Sequence, residues 1–142
     1  MTITTNSQDE TAEVGRRIAA TLSAGSVLLL VGDLGAGKTA LVRGLAEGLG
    51  VAPEEVSSPT FTLMQEYRGG RVKLIHVDLY RLNEVREIDE LGLEELGLDS
   101  VLAIEWAEKL PRPIPGAFEV RIAHGDGDER RLTITGKSAT PL

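Results

Sequence analysis

The segment Gly32-Asp33-Leu34-Gly35-Ala36-Gly37-Lys38-Thr39 matches the pattern G-x-x-x-x-G-K-[ST] in full. That spacing suits phosphate binding. The glycines let the backbone fold into a nest whose N–H groups converge on phosphate oxygens. A helix that starts as the loop ends directs its positive end at the same anion. Lys38 supplies a point charge for the outer phosphates. Thr39 supplies a hydroxyl for Mg²⁺, a hard ion that prefers oxygen. The loop alone does not choose between ATP and GTP. The chain carries no N-K-x-D guanine motif, which disfavours a GTPase of the Ras type.

A phosphate loop of this kind works with a second acid on the metal side, set at the end of another strand. Two runs end that way. Val101-Leu102-Ala103-Ile104-Glu105 carries Glu where Asp is usual, and Leu74-Ile75-His76-Val77-Asp78 is the other. In each case the alternative is a strand-terminal charge reaching solvent. His76 shares the strand face of Asp78 and reads as a structural histidine rather than a catalytic one. Ser57–Thr62 has several hydroxyls before a strand, and Thr60 has the placement of a switch residue that senses the γ-phosphate or Mg²⁺; a plain Ser-Pro turn is the alternative. Trp106, the single tryptophan, follows Glu105 directly. It either packs on the nucleotide or a partner, or is a core side chain. Arg81, Arg130 and Arg131 are the candidates for a transition-state cation, with none singled out.

These residues need elements to hold them. Ser26–Val31 is a short apolar run bounded by glycines, which predicts a buried strand leading into the loop. Leu41, Val42, Leu45 and Leu49 have helical spacing, so a helix follows the loop and Gly50 stops it. Upstream, Val14, Ile18 and Leu22 predict a helix over 11–24. Pro53 and Pro59 make 51–59 a loop. Strand-like runs at 61–67 and 71–78 flank Gly69-Gly70 as a hairpin, and 117–124 and 130–135 flank 125–128 as a second. The Glu- and Leu-rich stretch 81–98 reads as one or two short helices, and 101–106 as a buried strand. This order predicts an α/β fold: one P-loop NTPase-like domain over 1–142, with a mixed sheet flanked by helices. Residues 1–8 and 137–142 read as loose termini.

Length and composition bound the function. The chain has 142 residues, 42% of them hydrophobic, which suits one domain with one sizeable core. It has no stretch of 18 apolar residues, and 1–10 lack the order of a signal peptide. No cysteine is present, which excludes disulfides, thiolate metal sites and a cysteine nucleophile. These features fit a cytoplasmic protein. The net charge of −7 argues against independent nucleic-acid binding and suits either simple solubility or a partner with a basic surface.

Four motifs occur in order: G-D-L-G-A-G-K-T at 32–39, S-P-T-F-T at 58–62, H-V-D-L-Y-R-L at 76–82 and I-E-W at 104–106. Together they resemble the TsaE (YjeE) family, bacterial ATPases needed for the threonylcarbamoyladenosine modification of tRNA. The resemblance implies that ATP and Mg²⁺ are the cofactors. Gly35, Ala36, Gly37, Lys38, Thr39 and Ala40 would then hold the phosphates, and Thr39 and Glu105 the metal. Asp78 would sit beside the metal or the attacking water, Thr60 in the switch, and Trp106 and Thr11 near the nucleotide. It also implies a motor that binds and resets a threonylcarbamoyl-transferase subunit with its dimerisation partner, meeting tRNA only indirectly. Two other readings use the same loop: a small-molecule kinase, for which 142 residues leave little room for an acceptor pocket and lid, and a nucleotide-dependent interaction protein with little turnover.

Overall fold

The strands that carry the site lie in the middle of one sheet, because their sequences are apolar on both faces. The structure, a computed structural model, describes residues 1–32, 37–51 and 64–136. Within it β1 is Thr2–Thr5, α1 Gln8–Ala19, β2 Val27–Gly32, α2 Lys38–Gly48, β3 Met64–Tyr67 and β4 Lys73–Asp78. There follow α3 (Val85–Asp89), α4 (Leu93–Leu96), β5 (Ser100–Glu105), β6 (Phe118–His124) and β7 (Arg130–Gly136). The strand order is β1-β7-β6-β2-β5-β4-β3. The inner strands β6, β2, β5 and β4 run parallel, and β3, β7 and β1 are added antiparallel. The sheet is therefore mixed, as the hairpin signals predict.

Alternation along the strands divides the core into two layers. Leu28, Leu30, Val101 and Ala103 pack with Val14, Ile18, Leu41 and Leu45 of the two long helices. Ile75, Val77, Leu102 and Ile104 pack with Ile88 of α3, Leu93 of α4 and the chain after β5. The helices α1 and α2 touch backbone to backbone. A Cβ placed on Gly44 would lie 1.8 Å from the Ala12 carbonyl oxygen, and one on Gly15 2.3 Å from that of Leu41. This close approach brings Thr11, near the N-terminal end of α1, to Gly37 at the start of α2.

Two expectations are corrected. Residues 1–8 do not form a loose terminus: Thr2–Thr5 is an edge strand on β7, and Ser7 caps α1. Its β-branched Thr and Ile favour the pleat even though only Ile3 is apolar. The first helix runs over Gln8–Ala19 rather than 11–24. It starts earlier because Ser7 Oγ accepts from Glu10 N at 3.1 Å while Glu10 Oε1 accepts from Asn6 N at 2.8 Å, a reciprocal cap. Residues 61–63 and 137–142 lie outside the described residues.

Candidate functional site

The helix α2 begins at Lys38 directly behind Gly37, whose φ of 102° is a left-handed conformation suited to glycine. Gly37 has no side chain to close the first turn, and that turn contains no acidic residue. By contrast, α1 is closed by Ser7 and has Asp9 and Glu10 in its first turn. The leading N–H groups of α2 are thus left to an anion, not to the helix's own side chains. Lys38 is only 4% exposed, and its Nζ donates to the Gly32 carbonyl at 3.1 Å. A cation this buried, bonded to a backbone carbonyl, fits a phosphate as its partner.

Parallel pairing of β4 with β5 sets Asp78 beside Glu105 in register. Both carboxylates are buried. Burial raises the Asp78 pKa, and the neighbouring Glu105 charge adds to this; the Tyr80 N–H, donating to Oδ1 at 2.9 Å, and more weakly His76 and Lys38, work against it. Glu105 Oε2 lies 2.7 Å from Nε2 of the fully buried His76. Among the described residues no group of three or more His, Cys, Asp or Glu forms a metal cage. The two buried carboxylates set side by side, Asp78 and Glu105, match Mg²⁺, which usually takes one or two carboxylates and completes its shell with phosphate and water. The residues present therefore fit Mg-nucleotide.

Trp106 is half-buried and packs against the second core layer. Its ring centroid lies 4.6 Å from Lys38 Nζ and 5.1 Å from the Tyr80 ring. Its φ of 60° makes it the one non-glycine with positive φ among the described residues. Such a conformation costs on the order of 1–3 kcal/mol and persists where the surroundings enforce it, often at working sites. Lys109 Nζ reaches the Tyr80 and Leu82 carbonyls at 2.6 and 3.0 Å and so holds the segment that carries Tyr80.

The fold thus brings Lys38, Asp78, Glu105 and Trp106 together. Thr39 and Ala40 sit in the first turn of α2, Thr39 half-buried. Thr11 is close by, since a Cβ on Gly37 would lie 3.9 Å from Thr11 Cγ2 and 4.0 Å from Arg130 Cγ. The Thr11 hydroxyl itself is engaged with Thr5 Oγ1 at 2.7 Å. Gly35, Ala36 and Thr60 lie outside the described residues. Of the arginines, Arg130 adjoins Gly37, but its Nη1 is bonded to the Gly127 and Glu129 carbonyls at 3.1 and 2.9 Å. Arg131 pairs with Glu129 at 3.8 Å, and Arg81 is exposed. Sequence reasoning missed the bond between His76 and Glu105 and the tilted contact of the Tyr80 and Trp106 rings. Both depend on strand register, and the two bonded residues are 29 positions apart. A cavity of about 300 Å³, lined by Ile88, Leu93, Leu110 and Ile114 among others, includes none of these site residues.

Comparison with known proteins identifies the family. The family model described as "Threonylcarbamoyl adenosine biosynthesis protein TsaE" matches residues 5–132. Relatives named "tRNA threonylcarbamoyladenosine biosynthesis protein TsaE" include one from Nostoc sp., 44% identical over 138 residues, spanning 94% of this chain and 84% of its own. One from Bacillus subtilis is 40% identical over 129 residues, spanning 89% of this chain and 80% of its own. The crystal structure of Bacillus subtilis YdiB superposes with a TM-score of 0.73 at 34% identity, covering 96% of this chain and 84% of that one. With the TsaE family model matched across most of its length, relatives 40% and 44% identical and a shared fold, the chain belongs to the TsaE family.

Proposed function

We propose that this protein is a cytoplasmic Mg-dependent ATPase that supports threonylcarbamoyladenosine formation in tRNA. It does so by binding and resetting a complex of the threonylcarbamoyl-transferase subunit with its dimerisation partner, and it meets tRNA only through them. The family membership supports the pathway, since the relatives are named for it. The observation that carries the ATPase reading is Lys38, buried at the bare N-terminus of α2 beside two buried strand-end carboxylates. No described helix is long and apolar enough to cross a membrane.

In this reading Lys38 and the backbone from Gly35 to Ala40 hold the phosphates. Thr39 and Glu105 hold Mg²⁺. Mg²⁺, when held there, would neutralise charge on the transferring phosphate. Asp78, fixed by the Tyr80 N–H, orients the attacking water, and Thr60 senses the γ-phosphate. Trp106 borders the nucleotide. Arg130, which adjoins Gly37, is tied to its own turn. A phosphate site that waits for a partner to supply or order a transition-state cation is slow alone, by a factor of about 10³–10⁵ in GTPases. The net charge of −7 suits docking on a basic protein surface.

Calorimetry with ATP tests the site. Lys38→Ala should weaken nucleotide binding at least tenfold and abolish hydrolysis, because the loop loses its phosphate-directed side-chain cation. Unchanged affinity together with unchanged turnover would refute the assignment.

A further inference from the structure

His76 has no task in phosphate or metal binding as set out above, yet its surroundings are not those of a packing residue. The ring is fully buried on β4, on the same face as Asp78. A carboxylate oxygen only accepts, so Nε2 carries the proton and donates to Glu105 Oε2 at 2.7 Å. The other ring nitrogen, Nδ1, is buried without a hydrogen-bond partner among the described residues. A leucine at this position would fill the space without stranding a polar atom, and stranding one is costly. The imidazole therefore makes physical sense through its single bond to Glu105.

That bond answers a problem in the site. Glutamate stands where the shorter aspartate is usual, and its extra methylene adds a rotatable bond and more conformers to be frozen. Its register neighbour Asp78 is a second carboxylate, which repels it. We propose that His76 is a positioning residue that clamps one oxygen of Glu105, so that the other is presented to the Mg²⁺ of a bound nucleotide. This rests on the nucleotide–metal reading above. The role is that of an outer partner that orients a metal ligand, and removing such partners typically lowers metal affinity or activity 10–100-fold.

The test compares the full-length protein with His76→Leu, His76→Gln, Glu105→Ala and the double variant His76→Leu/Glu105→Ala. Affinity for a non-hydrolysable ATP analogue is measured by calorimetry in EDTA and across a Mg²⁺ series, with thermal unfolding as the check on folding. In EDTA, His76→Leu should bind within about twofold of the natural protein, because no phosphate contact is lost. Its Mg²⁺-dependent gain should fall about tenfold or more. His76→Gln, whose amide nitrogen can take the place of Nε2, should recover most of that gain. In the Glu105→Ala background, His76→Leu should change nothing further, which a merely structural histidine would not produce. A folded His76→Leu with the full Mg²⁺ gain overturns the proposal, as does an equal loss in the Glu105→Ala background. If His76→Leu does not fold, the Gln variant decides against His76→Asn, whose amide sits at the place of Nδ1; an Asn variant with the full gain beside a Gln variant without it overturns the clamp. A Glu105→Ala variant that keeps the gain overturns the clamp while the nucleotide site stands. A natural protein with no Mg²⁺-dependent gain removes the nucleotide–metal reading and the clamp together.

Discussion

Substituting Gly44 by Ala should damage both the fold and the proposed phosphate site, although Gly44 is not one of the residues assigned to that site. The new Cβ would lie 1.8 Å from the Ala12 carbonyl oxygen, with the Ala12 carbonyl carbon and Cα at 2.5 and 2.7 Å. All three are backbone atoms of α1, so no side chain can swing aside. Ordinary contact starts at 3.4 Å, so the helices must part by about 1.6 Å. A radial gap of 0.5–1 Å already forfeits roughly a quarter to a half of a contact's dispersion energy. The layer opened contains Val14, Ile18, Ala19, Leu41, Leu45 and Ala46, all buried. Overpacking of this kind costs about 1–3 kcal/mol, and the loosened layer adds to it. The better helix propensity of Ala returns about 1 kcal/mol. A net loss of up to about 2 kcal/mol follows before the loosened layer is counted, or roughly 8 °C in Tm for a chain of this length. Because α2 starts at Lys38, nucleotide affinity should drop as well. Thermal unfolding beside Gly69→Ala, where nothing lies within 4 Å of the added Cβ, gives the comparison. A Gly44→Ala protein melting within about 2 °C of the Gly69→Ala protein would refute the reasoning.

The other expectations concern chemistry and pathway. Thr39→Ala and Glu105→Ala should each impair Mg-dependent turnover by about tenfold or more while leaving metal-free nucleotide binding nearly intact; if Glu105→Ala hydrolyses ATP normally with partners present, Asp78 is the metal-side acid. Asp78→Asn should unfold less readily than the natural protein near pH 7, since it removes a buried charge. The folded-state pKa of Asp78 is raised, so the folded chain binds its proton more tightly and stability falls as pH rises through that value. The advantage of Asn should therefore be complete above the folded pKa and vanish as pH falls toward the ordinary aspartate range near about 3.9; denaturant midpoints across pH measure this, and a gap that widens in acid would contradict it. Cells depleted of the protein should lose threonylcarbamoyladenosine from tRNA, and the slow ATPase rate of the isolated protein should rise as the transferase pair is added. Normal modification in depleted cells would remove the pathway, and a flat rate only the activation by partners.

The sequence disclosed those parts of the fold whose signals are local. The run from Val27 to Val31 is apolar on both faces and ends in glycine, so β2 was legible. The helix after Gly37 followed from its spacing. The first strand was not legible, because Thr-Ile-Thr-Thr has one apolar side chain and its partner β7 is more than 120 residues away. The start of α1 could have been read from Ser7 and Glu10, which stand at the spacing of a capping box. At the site, each acid was visible as the end of an apolar run, but that Asp78 and Glu105 are neighbours depends on β4 pairing with β5 in register. The contacts of His76 with Glu105, and of Lys38 with Trp106, depend on that same register and on side-chain direction, which no periodicity encodes.

The placement of Trp106 gives the chain an optical address. It is the only indole in 142 residues, and its ring centroid is 4.6 Å from the ammonium of Lys38. An anion that draws that ammonium away removes a charge from the face of the single dominant fluorophore, so the emission of the unlabelled protein responds to the position of Lys38. Stopped-flow fluorescence could then time the arrival and departure of a phosphate without a dye, a tag or an engineered residue.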